Sequence, residues 1–309
     1  MRSSPTERLN RYDVVVVGGG PAGLTSALIL GRCRRRVLVF DTGNQRNKAS
    51  GAIHGFPTRD GERPQVFLAT LRSELSAYGV RIIKKRIASV HKTGDGFLVN
   101  SSDGGEYRSA MVLLATGLSD ELPPIPGIQK YYGKGVFHCP YCDGYEYSDK
   151  PWVVCAFSGK AAVEVCLRVK TWTSDIVLLA SYARVLTQRE ESLLKRNGIK
   201  ISWQKVRSVA GRNGHIRGLV MADGRQMACD AFMFSSPSLQ QSGIALELGC
   251  TFNRQGQVRT NRLQQTCVPG LYAAGDMARD MELMVIAASE GAKAAVAMNA
   301  TLNRMIRKA

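Results

Sequence analysis

The residues best suited to chemistry in this chain are two cysteines in the run Cys139-Pro140-Tyr141-Cys142. Thiols at that spacing close a small disulfide ring, and a helix that starts at the pair lowers the pKa of one thiol, so the pattern is that of a thiol–disulfide redox centre. Asp143 follows directly, where an aspartate can cap a helix. His138 precedes the pair, where it either tunes a thiol or packs. Zinc is the other use of such a pair. A closed tetrahedral site needs four ligands, and no second CxxC or paired-histidine run occurs, so no metal is expected.

A second kind of chemistry is written in Gly18-Gly19-Gly20-Pro21-Ala22-Gly23, a G-x-G-x-x-G run on Gly18, Gly20 and Gly23. Such glycines allow a tight turn and the close approach of a pyrophosphate, which the helix N-terminus then receives on free N–H groups. The elements needed to hold that turn are present in order. An apolar run, Val14 to Val17, precedes it, a helix-like stretch from Ala22 to Leu30 follows, and a second apolar run, Val37 to Phe40, ends in Asp41. An acidic residue about twenty positions on takes the ribose hydroxyls. Far downstream, Gly270-Leu271-Tyr272-Ala273-Ala274-Gly275-Asp276 predicts a short strand ending in Gly-Asp ahead of a helix over Met284 to Leu302.

The order GGGPAG, Ala115-Thr116-Gly117, Cys-x-x-Cys-Asp-Gly on Cys139, Cys142, Asp143 and Gly144, and finally AAGD resembles the low-molecular-weight thioredoxin reductase family from about Asp13 to Leu302. The resemblance implies an α/β fold of two Rossmann-like, three-layer ββα domains of the FAD/NAD(P)-binding kind, the second inserted into the first. The FAD domain is then 1–116 plus 246–309, and the redox-disulfide domain is 117–245. It also implies one FAD per chain, held by Gly18, Gly20, Pro21, Ala22, Gly23, Asp41, Asn47, Ala115, Thr116, Gly117, Gly275, Asp276, Leu283 and Met284. By the same resemblance Cys142 lies against the flavin as the charge-transfer thiolate, Cys139 attacks the substrate disulfide, Asp143 is the acid/base, and the protein is a homodimer. The segments Gly117 to Gly127 and Ser235 to Gln240 are expected to be loops that form a two-stranded hinge between the domains. Phe97 to Leu114 predicts a meander turning at Asp103-Gly104.

The second nucleotide motif departs from the family. After the strand-like Trp152 to Phe157, the loop Ser158-Gly159-Lys160-Ala161-Ala162 puts Phe157 where the first glycine belongs, and Lys160 where the family has aspartate. The next strand, Asp175 to Ala180, runs into Ser181-Tyr182-Ala183-Arg184, which offers neither the acid that binds NAD ribose nor the paired arginines that bind the NADP 2'-phosphate. Glu282-Leu283-Met284 replaces the family's Arg-Gln-Ala beside the flavin. NAD(P)H is therefore disfavoured. The combination resembles the pyridine-nucleotide-independent branches: ferredoxin-dependent flavin thioredoxin reductases, diflavin-linked disulfide oxidoreductases, and gliotoxin-type dithiol oxidases. A second FAD, stacked by Phe157 and Tyr182, is one alternative occupant of the degraded cleft and an empty apolar groove is the other.

Bulk properties bound the rest. At 309 residues with 44% hydrophobic content the chain can build two cores, and its eight cysteines lack the spacing of a secreted disulfide framework. With no apolar leader in the polar stretch Met1 to Tyr12 and no membrane span, a cytoplasmic protein is expected. The net charge of +17, concentrated at Arg32 to Arg36, Lys84 to Arg86, Lys195 to Lys200 and Arg304 to Lys308, suits an acidic electron-transfer partner such as ferredoxin or flavodoxin, or a merely solvated surface. No nucleic-acid-binding signature occurs. The leading expectation is an FAD-dependent dithiol/disulfide oxidoreductase whose external partner is a ferredoxin-like donor or O2, acting on a protein or small-molecule disulfide or dithiol. An NADPH-dependent thioredoxin reductase and a non-catalytic flavin redox sensor are the alternatives.

Overall fold

The computed structural model describes residues 11–183, 186–235, 237–279 and 281–307. They fall into two compact units. The first takes the chain as far as Lys48, then Gln65–Ser119, then everything from Ser238 onward; the second takes Ala49–Pro64 and Asp120–Pro237.

The first unit is built on the two apolar runs, which become Arg11–Val17 (β1) and Val37–Phe40 (β2). Val14, Val15 and Val16 are wholly buried, as β-branched side chains covered on both faces of a parallel sheet should be. Pro21–Arg32 (α1) connects them. The pair lies parallel, Val14 opposite Val37, in a sheet that continues through Arg81–Ile83 (β3) on one side and Glu106–Leu114 (β6) on the other. Ile87–Thr93 (β4) and Gly96–Ser101 (β5) join β6 as an antiparallel meander, and β5 turns into β6 through the expected Asp103-Gly104. Leu271–Ala273 (β17) pairs parallel with the C-terminal half of β6. Sequence-distant segments thus share one sheet. One core lies on the α1 side with Pro64–Ser76 (α2) and Met284–Ile306 (α7), and a second lies on the opposite face beneath the meander.

The second unit repeats the plan. Its parallel sheet, in the order β11-β10-β9-β15-β8, consists of Lys200–Ser202, Ile176–Leu179, Trp152–Ala156, Ala231–Ser235 and Val136–Phe137. Gly159–Val169 (α4) and Gln188–Arg196 (α5) cover one face. The other face packs on an antiparallel meander of Val206–Arg212 (β12), His215–Met221 (β13) and Gln226–Ala228 (β14). Where loops were expected at the crossings, Leu118–Asp120 (β7) and Ser238–Gln240 (β16) pair as a two-stranded sheet. Backbone groups in an extended linker need partners, and each strand supplies them to the other. Ile244–Glu247 (α6) follows. Arg184, considered above for 2'-phosphate binding, lies outside the described residues, as do Met1 to Asn10 and Lys308. Among the described residues no helix is long and apolar enough to cross a membrane.

Candidate active site

Cys139 and Cys142 are joined by a disulfide in the second unit. Cys139 is the residue before Pro140–Asp143 (α3), whose proline sits in the first helical position with its φ already set. The helix ends after four residues and passes into a single 3-10 turn, Tyr145–Tyr147. The expected helix start at the pair is thus present but only one turn long. Tyr141 and Tyr145 are exposed around the pair, and the Tyr141 ring meets Trp172 edge-on at 5.5 Å.

Asp143 is half-buried, and its carboxyl is pushed up to about 6, first by loss of solvent and then by the charge of Glu146, against a lowering by His54. A carboxylic acid in that range can both hold and release a proton near neutral pH. His54 Nε2 stands 3.4 Å from Glu146 Oε1, and its Nδ1 stands 3.6 Å from Asp60 Oδ1. Sequence reasoning missed His54: eighty-odd positions before the cysteines, it enters this unit only because Ala49–Pro64 packs there. His138 is tied into a different network. The Tyr132 hydroxyl donates to Asp120 Oδ2 at 2.6 Å and lies 3.1 Å from His138 Nδ1, while Phe234 packs beside the imidazole.

The residues expected around a flavin gather in the first unit. Gly18 has φ +114, and a Cβ there would lie 2.1 Å from the Ala115 carbonyl oxygen, so only glycine lets the turn pass beneath Ala115. Gly20 is different. It precedes α1, no side chain caps that helix, and a Cβ on Gly20 would meet nothing within 4 Å. That space, bounded by free helix N–H groups, fits a pyrophosphate. Asp41 follows β2 and is buried; its carboxylate accepts from Gly43 N, Gln45 Nε2 and Arg72 Nη2 at 2.8 to 3.1 Å, which fixes its orientation. Gly275 has φ +81 and donates its N–H to buried Glu290 at 2.9 Å, and Glu290 pairs with Arg279 at 2.6 Å. Asp276 Oδ2 lies 3.2 Å from Arg46, which also pairs with Glu282. Asn47 Nδ2 reaches Met284 Sδ at 3.1 Å, and Thr116 Oγ1 reaches Met277 Sδ at 3.4 Å. Leu283 precedes α7 and offers it no side-chain cap. Two uncapped helix N-termini, a buried acid and an unfilled turn are what FAD needs from a protein.

The corresponding turn of the second unit carries a side-chain cap. Ser158 precedes α4, and its Oγ accepts from Ala161 N at 3.2 Å. Phe157 is half-buried beside it, and Lys160 points outward into a long contact with Glu164. Tyr182 packs partly against the core on the meander side.

A family model described as pyridine nucleotide-disulphide oxidoreductase matches residues 12–291, so the chain belongs to that enzyme family. Within it the chain is thioredoxin reductase-like, and membership implies a flavin cofactor. Thioredoxin reductase tcpT of Claviceps purpurea is 31% identical over 86% of this chain and 87% of its own length. Among solved structures, that of HlmI superposes with a TM-score of 0.90 at 35% identity, covering 95% of this chain and 93% of HlmI. An oxidoreductase from Agrobacterium tumefaciens gives 0.87 at 29%, covering 94% and 98%.

Proposed function

We propose that this protein is an FAD-dependent dithiol–disulfide oxidoreductase that works without NAD(P)H. The observation that carries this reading is the contrast between its two nucleotide-type turns. Gly20 leaves the N-terminus of α1 open, whereas Ser158 spends its hydroxyl on the first turn of α4 and Phe157 stands at the first glycine position. A phosphate approaching α4 would have to displace a satisfied hydrogen bond at a turn without the glycine that closeness requires.

When bound, FAD supplies a two-electron partner for the cysteine pair, with Gly18, Gly20, Gly23, Asp41, Gly275 and Asp276 holding it. The rest is done by side chains. In the reductive direction the Cys139 thiolate attacks one sulfur of a substrate disulfide, and the substrate's S–S bond breaks. The leaving thiolate takes a proton from Asp143, whose raised pKa keeps a protonated fraction available near neutral pH. Cys142 then attacks the Cys139 sulfur, which frees the second substrate thiolate and restores the Cys139–Cys142 disulfide. Oxidation of a dithiol is the same sequence reversed, with Asp143 accepting the proton. Cys142 is the thiol that would exchange electrons with the flavin once FAD is bound.

Two external partners are compatible with this assignment: an acidic one-electron carrier attracted by the net charge of +17, or O2 as terminal acceptor as in gliotoxin-type dithiol oxidases. Steady-state assays separate them. Oxygen uptake driven by small dithiols, with no NADPH consumption in the presence of thioredoxin, supports the oxidase form. Thioredoxin reduction by reduced ferredoxin supports the other. NADPH-driven thioredoxin reduction at ordinary enzyme rates overturns the proposal.

A further inference from the structure

The run Glu282-Leu283-Met284 has no part in the exchange chemistry, yet the first unit builds it into a cluster of charges. Arg46 starts a 3-10 turn, and its Nη1 lies 2.5 Å from Glu282 Oε2 and 3.2 Å from Asp276 Oδ2. One guanidinium nitrogen therefore holds both carboxylates. Asn47, the next residue, reaches Met284 Sδ at 3.1 Å. The side chains at 46 and 47 thus fasten the segment 276–284, which starts after the Gly275 turn and ends at the first residue of α7, a helix whose N-terminus no side chain caps. The side chains of Arg46, Asp276 and Glu282 are 13%, 22% and 20% exposed, so solvent and salt screen their charges far less than at an open surface.

We propose that Glu282 tunes the flavin: its carboxylate, oriented by Arg46, lowers the reduction potential of the bound FAD. This rests on the reading that Gly275 and Asp276 hold FAD, since Glu282 shares the Arg46 nitrogen with Asp276. Two-electron oxidation of the Cys139 and Cys142 thiols forms their S–S bond and sends two electrons and two protons to the flavin and its surroundings. Electrons arriving on the ring are repelled by a nearby carboxylate and attracted by a nearby guanidinium. Glu282 therefore shifts the exchange toward oxidised flavin and reduced cysteines, and Arg46 opposes it. Glu282 stands where the family has arginine, so the charge at this position is reversed in sign.

The sign of each effect is independent of the total charge of the cluster. Removing a negative charge raises the potential and removing a positive one lowers it, so neutral variants at the two positions must move in opposite directions. A packing role has a different signature: loss of either partner loosens the same contact, and both variants move together. Glu282→Asp separates charge from packing further, because it keeps the carboxylate on a shorter side chain.

The test is the midpoint potential of the purified holoprotein, measured by anaerobic reductive titration against a reference dye, with FAD affinity measured on the apoprotein in parallel. Glu282→Gln should raise the potential and Arg46→Gln should lower it, each by roughly tenfold in the reduction equilibrium, or about 30 mV for a two-electron couple, while Glu282→Asp stays within about threefold of the native value. The two neutral variants test the inference independently, so one that fails to retain FAD leaves the other to decide the sign. Native apoprotein that takes up no FAD overturns the flavin reading and this inference with it. FAD bound by the variants with unchanged potentials, shifts of one sign in both neutral variants, or a Glu282→Asp shift as large as that of Glu282→Gln overturns the inference alone.

Discussion

Cys139 and Cys142 are adjacent in space but assigned different partners, so their serine variants should differ. On the proposed assignment of Cys142 to the flavin, Cys139→Ser should show long-wavelength absorbance from a thiolate–flavin charge-transfer complex. Cys142→Ser should lack it. Identical visible spectra for the two variants would remove or reverse the roles. Asp143 sets a second expectation. Its carboxyl is raised to about 6 by burial and by Glu146, so exchange should have an inflection near that pH, with a protonated donor below it and a carboxylate base above it. Asp143→Asn should abolish the inflection. His54 opposes the rise, so His54→Gln should move the inflection to higher pH; a shift downward, or none, would contradict the electrostatic reading. The CxxC-Asp run was legible because its chemistry is local in sequence. His54 was not, because nothing near it in sequence announces that Ala49–Pro64 packs in the second unit.

The two βαβ turns differ in their caps: no side chain caps the helix after Gly20, whereas Ser158 caps the corresponding helix of the second unit. Gly20→Val puts its side chain into space that no protein atom occupies, so the variant should fold normally and purify with at least tenfold less FAD, as measured by absorbance per chain. Full yellow colour would show that the pyrophosphate lies elsewhere. Ser158→Ala removes the cap of α4 and should cost about 1 kcal/mol in a urea unfolding series, a typical value for losing such a cap. A shift near zero would mean that the hydroxyl is not committed to the helix and is free for a phosphate. Strand and helix positions at β1, α1, β2 and α7 followed from apolar runs and glycine spacing, since a parallel sheet buried on both faces demands continuous hydrophobic strands. The pairing of β7 with β16 was hidden: three-residue strands rich in polar residues carry no periodicity, and only their approach across some 120 positions creates the ladder.

At the scale of the whole chain, two units of the family's nucleotide-binding plan are present, and the second carries Phe157 and Ser158 where we propose that the phosphate turn is lost. The +17 charge adds a long-range field that favours acidic partners without naming one. The central claim is that electrons reach or leave the flavin through Cys139 and Cys142 and not through a nicotinamide. Anaerobic titration of the purified yellow protein, followed by flavin absorbance, tests that claim most directly. A small dithiol should bleach the flavin at near-stoichiometric amounts in the native protein and leave it oxidised in Cys142→Ser, while NADPH at micromolar concentration leaves the native flavin oxidised. Rapid stoichiometric bleaching by NADPH would contradict the account.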